Sequence, residues 1–464
     1  QTNGHSVSNE RTKRFKRTLV FQSCYNIIHK STNPDPIFTR QAFSNHSTIA
    51  MQYVPPHKII SQQPGLLCRK SYLCTYTVEN RSNMMHKIIL AIDSYKGCLS
   101  SLEAEQAASE GIRQVLPDCQ ILCFPVADGG EGMLEVLVQA TNGKFLSAQV
   151  HDPLMRLHTA RYGILGNQET VIIEMAQASG LPLLSPEERN PMYTTTYGTG
   201  ELILHALQKG YRQFLIGIGG SATNDAGMGM LQTLGYRFYD ANDRELGTGG
   251  MQLLNVARID TSNVSPLIHE ARFTVACDVT NPFYGPTGAA CIFAPQKGAS
   301  ASEVRLLDTG LQRFARLIRS YTGTSVDHLP GAGAAGGMGG CLAAFLKARL
   351  KPGIDLILDT LGMNEQLHDT DLIITGEGHS DRQTLMGKVP AGILRRAVSA
   401  DIPVLLLSGG VEDTDALNEA GFLAVFPTTP FPIPLEKAME PEFARSNIRR
   451  TVAQICRIYA KKEK

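Results

Sequence analysis

Short apolar runs alternate with helix-like stretches from residue 84 onward, a pattern that predicts an α/β fold. Lys87–Ile92 reads as the first buried strand. A helix is predicted over Ser101–Val115, capped by Ser100 or Ser101 and carrying Glu103 and Glu105 in its first turn. Strand Ile121–Val126 follows. The middle of the chain, 145–330, holds shorter runs broken by turns: Thr170–Glu174, Phe214–Ile218, Tyr236–Tyr239 and Phe273–Ala276. Alternation then returns with an apolar helix over Leu342–Leu350 and strands Leu372–Thr375, Val404–Leu407 and Ala424–Phe426. The same pattern at both ends of a different middle predicts a two-domain protein. A discontinuous, Rossmann-like parallel-sheet domain (84–144 and 331–464) would carry an inserted second α/β domain (145–330). The cleft between them is the expected place for a ligand.

Residues 1–83 stand outside this pattern. They are rich in Ser, Thr, Asn and Gln and hold 11 Lys and Arg against 3 Asp and Glu, so the chain's net charge of +1 conceals a segment of +8 and a body of −7. The main body therefore carries no nucleic-acid footprint. An Arg- and Ser-rich, acid-poor leader suits an organellar transit peptide. The preferred reading is a poorly ordered extension ahead of a start at Met84 or Met85, because strand Lys87–Ile92 begins directly after that pair. No apolar stretch approaches a membrane span. Of the ten Cys only Cys119 and Cys123 approach a ligand spacing, and the twelve His show none. The expectation is a soluble, cytoplasmic protein with buried thiols and no nucleic-acid or membrane partner.

Glycines and acids recur where the predicted strands end. Gly217-Ile-Gly-Gly-Ser-Ala-Thr-Asn-Asp225 follows strand Phe214–Ile216 and leads into a predicted helix over Ala226–Leu231. Free N–H groups at the positive end of a helix dipole seat phosphate or carboxylate. Ser221, Thr223 and Asn224 add donors there and Asp225 adds a carboxylate. Asp93-Ser94-Tyr95-Lys96 closes the first strand: Asp93 suits a metal or a hydroxyl, Lys96 a carboxylate or phosphate, and a capped solvated turn explains both equally well. Asp128-Gly-Gly-Glu131 closes the second, where two carboxylates suit magnesium or a sugar-acid hydroxyl. Asp278-Val-Thr-Asn281 closes a third and runs on to Lys297, a credible phosphate or carboxylate partner. The run Gly331–Gly340 suits either a phosphate-wrapping loop or a tightly packed small-residue helix. Glu377 and Asp381, after strand Leu372–Thr375, bring two further carboxylates to the same sheet edge.

One competing reading is a nicotinamide-dependent oxidoreductase acting on a small hydroxy acid. Gly217–Ala222 and Gly331–Gly336 both satisfy the dinucleotide pattern, and Asp240 falls where a ribose-binding acid belongs. Asp225 weighs against it, since a carboxylate in the first helical turn repels a bare pyrophosphate unless a metal intervenes. Magnesium belongs to phosphoryl transfer. No Walker loop is present, which excludes a P-loop kinase.

Taken in order, Asp93-Ser-Tyr-Lys, Asp128-Gly-Gly-Glu-Gly, Glu174-Met-Ala-x-Ala-Ser-Gly180, Gly198-Thr-Gly-Glu201 and Gly217–Asp225 resemble the bacterial type I glycerate kinases. So do Cys277–Pro282, Pro295–Ala299, Gly331–Gly339 and Ile374–Gly378, and the resemblance spans residues 84–464. It implies ATP-dependent phosphorylation of D-glycerate to 2-phosphoglycerate, with the 3-phospho product less expected. It further implies ATP and Mg2+ as cofactors, a two-domain α/β structure and, as a candidate assembly, a homodimer. Met133 stands where the family usually has Thr, Ala226 where it has Gly, and His379-Ser380 where it has Arg and an aliphatic residue.

On that basis Asp225 is expected as the leading catalytic base, with Asp128, Lys96 and Lys297 completing the catalytic set. Asp225 and Asp278 are the expected metal ligands. ATP is expected on Gly219, Gly220, Ser221 and Asn224, on the loop residues Gly331, Gly333, Gly336 and Gly337, and on Gly376 and Glu377. Glycerate is expected on Asp93, Ser94, Glu131, Asn281 and Asp381.

Overall fold

A computed structural model describes residues 85–127 and 132–460, together with the backbone of three strands nearer the N-terminus. The chain divides into two units, Gln1–Asn83 and Met84–Lys464. In the first, β1 (Phe38–Gln41), β2 (Thr48–Tyr53) and β3 (Cys74–Thr77) pair antiparallel within the segment expected to be poorly ordered. The remainder of that segment lies outside the described residues.

The second unit is built on two sheets. The first takes β4 (Lys87–Ile92), β5 (Gln120–Cys123), β14 (Leu372–Ser380), β15 (Val404–Val411) and β16 (Ala424–Pro427), all parallel, in the order β16-β15-β14-β4-β5. Parallel crossovers put helices on both faces, so strands such as β4 are apolar throughout and do not alternate. Ile88, Leu90 and Ile92 pack against helices Ser101–Arg113 and Pro441–Tyr459, through Ile112, Ile448 and Val452. Ile89 and Ala91 face the other way, toward helices Met133–Ala140, Gly353–Thr360 and Val389–Ser399.

The second sheet is mixed and runs in the order β13-β12-β9-β8-β7-β6. Its parallel part comprises β8 (Thr170–Glu174), β9 (Gln213–Gly217), β12 (Arg272–Ala276) and β13 (Arg349–Lys351). The hairpin of β6 (Lys144–His151) and β7 (Leu157–Ile164) joins antiparallel. Phe214 and Phe273 stack in the core of this sheet, with ring centroids 5.0 Å apart. Ile172 and Ala276 pack into the same apolar cluster as Ile89 and Leu134, so the two sheets share a core.

The α/β class is as expected, and three local expectations are not met. The chain around 349–351 is strand and not the end of a helix; the helix there covers Met338–Phe345. Because β13 pairs with β12, residues up to 351 belong with the middle sheet, and the expected division at 331 falls inside it. Finally, β10 (Arg237–Tyr239) pairs antiparallel with β11 (Arg258–Asp260) in a separate ribbon, where a dinucleotide fold needs a parallel neighbour of β9. Asp240 accepts the N–H groups of Asn242 and Arg244 in its own turn. The oxidoreductase reading thereby loses its ribose-binding acid.

Candidate active site

In the five-stranded sheet the chain leaves the β4/β14 pair in opposite directions, to β5 on one side and to β15 on the other. Such a switch point opens a crevice beyond the carboxyl ends of the strands. Side chains from one helical turn widen it. Ser101 Oγ donates to the Ile92 carbonyl at 2.6 Å and accepts the Val126 N–H at 2.9 Å, while Glu105 Oε1 accepts the Ile92 N–H at 3.2 Å. These bonds replace the ladder where β4 and β5 diverge. Glu105 is fully buried, which holds its carboxyl well above the usual range.

The crevice is a cavity of about 920 Å3, inside the range of about 300–1,000 Å3 for small-molecule and cofactor sites. Five residues predicted from the sequence line it: Asp93, Ser94, Lys96, Glu377 and Asp381. The Asp93 N–H donates to the Gly376 carbonyl at 2.8 Å, and its Oδ1 accepts the Ser94 N–H at 2.7 Å. Glu377 is held by Ser380 Oγ at 2.9 Å and Thr384 Oγ1 at 2.6 Å on Oε1, with Lys388 Nζ 3.9 Å from Oε2. Asp381 caps the turn that follows, accepting the Gln383 N–H at 2.7 Å. Gly376 does not line the cavity; a Cβ there would lie 2.2 Å from the Leu407 carbonyl, so this glycine serves strand packing.

Sequence reasoning passed over Lys388, Phe431 and Asn447, which line the same cavity. Two of them carried a signal. Lys388 immediately precedes the Val389-Pro390 helix start, where cations are unusual. Asn447 interrupts the apolar stripe of Ala444, Ile448 and Val452, and it is buried.

At the six-stranded sheet the strand order is monotonic, and the cavity beyond its carboxyl edge is only about 230 Å3. Gly219, Gly220, Ser221, Asp278 and Lys297 line it. Lys297 is buried; its Nζ donates to Ser221 Oγ at 2.8 Å and to the Thr223 carbonyl at 2.7 Å. Burial lowers its pKa to about 7, against the pull of nearby Asp225. Asp278 Oδ1 accepts the Gly353 N–H at 2.7 Å, tying this edge to the first turn of helix Gly353–Thr360. The adjacent Ile354 packs on Gly392, one turn from Lys388, so this helix pair links the two cavities.

Asp225 lines neither cavity. Its Oδ2 accepts from the Thr196 N–H (2.8 Å), Thr196 Oγ1 (2.9 Å), Thr195 Oγ1 (3.2 Å) and the Gly229 N–H (3.2 Å), and its Oδ1 from the Gly227 N–H (3.1 Å). Ala226 and Gly227 take left-handed φ values of 52° and 76°, so the helix starts only at Met228 and its N–H groups turn onto Asp225. The expected anion seat is therefore occupied by the protein's own carboxylate. Both oxygens are engaged and burial raises its pKa, so Asp225 meets a substrate or a metal only where some of these bonds open.

Other expected residues are buried or hydrogen-bonded within the protein. Gly331, Gly333, Gly336 and Gly337 are buried, and a Cβ at Gly336 would lie 2.3 Å from the Thr223 carbonyl. Gly333 and Gly337 donate their N–H groups to Asn281 and Gly333 carbonyls, so the run packs tightly, and Ala334 and Ala335 are its cavity-lining members. Asn224 is fully buried and Asn281 donates to the Thr287 carbonyl; neither lines either of these two cavities. Asp128 and Glu131 lie outside the described residues. Among the described residues no group of three or more His, Cys, Asp or Glu stands ready as a metal cage, and no helix is long and apolar enough to cross a membrane.

The chain matches the model of the glycerate kinase family over residues 88–460. It is 47% identical over 341 residues to glycerate 2-kinase of Escherichia coli (strain K12), covering 73% of this chain and 90% of that one. To glycerate kinase of Bacillus subtilis (strain 168) it is 45% identical over 355 residues, or 76% and 93% of the two chains. The crystal structure of a candidate glycerate kinase 2 from Salmonella typhimurium LT2 superposes with a TM-score of 0.73 at 43% identity, covering 81% of this chain and 98% of that one.

Proposed function

The chain belongs to the glycerate kinase family, and from that premise we propose that it transfers a phosphoryl group from ATP to D-glycerate, giving 2-phosphoglycerate. The observation that carries this reading is a pair of lysine-bearing cavities at the carboxyl edges of two linked sheets, one of nucleotide size and one sized for a three-carbon acid. Phosphoryl transfer asks for positioning and charge neutralisation more than for covalent chemistry.

In this scheme the two sheets are two domains, the first Rossmann-like, and their edges approach as both substrates bind. Lys96 and Lys388 face the phosphates in the large cavity. Lys297, with Ser221 and the backbone of Gly219 and Gly220, holds the glycerate carboxylate in the small one. Asp278, on the wall of the small cavity, accepts the hydroxyl proton in place of Asp225. Asp93 and Glu377 are the carboxylates that suit magnesium, a hard ion commonly held by one or two carboxylates together with substrate phosphates. When bound, the metal supplies charge neutralisation at the transferring group.

Incubation with D-glycerate and MgATP, followed by phosphorus NMR of the product, tests activity and regiochemistry together. A phosphomonoester on the secondary hydroxyl is expected. A 3-phospho product overturns the assigned position, and the absence of any phosphorylated glycerate overturns the substrate.

A further inference from the structure

The large cavity has two unlike halves. Lysines and carboxylates form the half beside β4 and β14. The other half is the segment that starts at the last residue of β16, Pro427-Thr-Thr-Pro-Phe-Pro-Ile-Pro434, and the short helix Leu435–Ala438 with Met439. Phe431, Leu435 and Met439 are 58%, 69% and 36% exposed, and all three border this one cavity. Single exposed apolar side chains need no explanation, but a cluster of them around a polar-floored cavity marks a binding surface.

Resting on the kinase reading, we propose that this apolar half is the seat of the nucleotide's base, stacked on Phe431, and that it selects adenine. A nucleoside triphosphate divides as the cavity does, into a flat apolar end and an anionic end. The prolines at 427, 430, 432 and 434 fix φ along the wall, so the stacking surface is formed before anything binds. They also remove N–H groups while leaving carbonyls. A wall biased toward acceptors pairs with a base that bears an exocyclic amine and not with one that presents a keto oxygen at that edge. Asn447 adds an amide whose oxygen already accepts from Arg450 Nη2 at 2.5 Å, which leaves its NH2 as the group to meet a ring nitrogen. This places the base away from the glycine runs at Gly219–Ser221 and Gly331–Gly337, which line the small cavity or pack behind it.

Steady-state kinetics of the full chain with Phe431→Ala and Phe431→Tyr provide the first test, alongside calorimetric binding of adenosine and guanosine to each protein without glycerate. In Phe431→Ala the KM for ATP should rise roughly ten- to hundred-fold, the loss associated with one base–aromatic stack. The KM for glycerate and the melting temperature should stay put, and Phe431→Tyr should restore ATP binding. Adenosine should bind the wild type more tightly than guanosine and lose affinity in Phe431→Ala. An unchanged KM for ATP, or a rise in the KM for glycerate alone, overturns the proposal while leaving the kinase reading intact. Phe431-dependent adenosine binding without phosphorylation of glycerate supports the base site and removes the acceptor instead.

Discussion

The carboxyl edges of the two sheets both carry acids close to glycines and set them in different surroundings. At the five-stranded sheet, strand order reverses between β4 and β14, and Asp93 and Glu377 border an open cavity of about 920 Å3. At the six-stranded sheet the order never reverses, and the corresponding acid, Asp225, is sealed beneath its turn by five donors. An acid at a strand end thus borders a cavity where the chain leaves room beyond the sheet, as at Asp93 and Glu377 and, on a smaller scale, at Asp278. Elsewhere the N–H groups of the helix that follows are orphans in need of an acceptor, and the nearest carboxylate satisfies them.

The largest effect expected from this contrast is the loss of Asp225. Asp225→Ala strands five buried donors, and removing one member of such a network costs about 3–5 kcal/mol. Denaturant unfolding should show that loss directly. Asp278→Asn should behave in the opposite manner: the amide oxygen still caps Gly353, so stability holds, while kcat falls by roughly 10²–10⁴ as the proposed proton acceptor disappears. If Asp225→Ala melted like the wild type and only turnover suffered, Asp225 would be catalytic and the comparison would collapse.

The surroundings of Asp225 show where sequence legibility stops. The strands of the parallel cores were legible because both faces are buried, so Ile88–Ile92 and Leu372–Ile374 appear as unbroken apolar runs. The β6/β7 hairpin was not, since Lys144–His151 is half-solvated and its composition is mixed. Nor was the three-residue strand Arg349–Lys351, whose pairing with β12 is decided by the sheet and not by its own side chains. Of the residues that line the two cavities, Asp93, Lys96, Glu377, Asp381 and Lys297 were legible because acids and lysines near strand ends and glycine turns stand out in the sequence. The apolar wall at Phe431 carried no such mark. The role of Asp225 depended on two left-handed residues, Ala226 and Gly227, which the sequence read as the start of a helix.

Lys297 provides a sharper, pH-resolved test of the sealed edge. The unfolded chain keeps its proton up to the ordinary value of 10.5, whereas the folded chain keeps it only to about 7. Between those values the unfolded state binds more protons, so stability rises as pH climbs from about 7 to 10.5, and the full penalty of the buried charge is present below that window. Comparing melting temperatures of wild type and Lys297→Met across this range should show the wild type gaining on the variant as pH increases. Over the same interval the KM for glycerate should rise, because the neutral amine no longer attracts the carboxylate. Parallel melting curves for the two proteins would mean that Lys297 titrates outside the window.

The smallest expected effect belongs to Ala226, which adopts φ of 52° directly beside Asp225. Three contributions meet in Ala226→Gly. Relief of left-handed strain stabilises by about 1–2 kcal/mol. The added freedom of glycine in the unfolded chain costs about 0.4–1 kcal/mol, and loss of the buried methyl costs a further ~0.8 kcal/mol. They nearly cancel, so unfolding free energy should change by less than about 1 kcal/mol and turnover should be unaffected, since Ala226 lines neither cavity. Its N–H, bonded to the Gly336 carbonyl at 3.0 Å, is retained by glycine. A large stabilisation would mean that the Asp225 turn is strained in the native state, and that the five donors hold a carboxylate which the backbone alone would release.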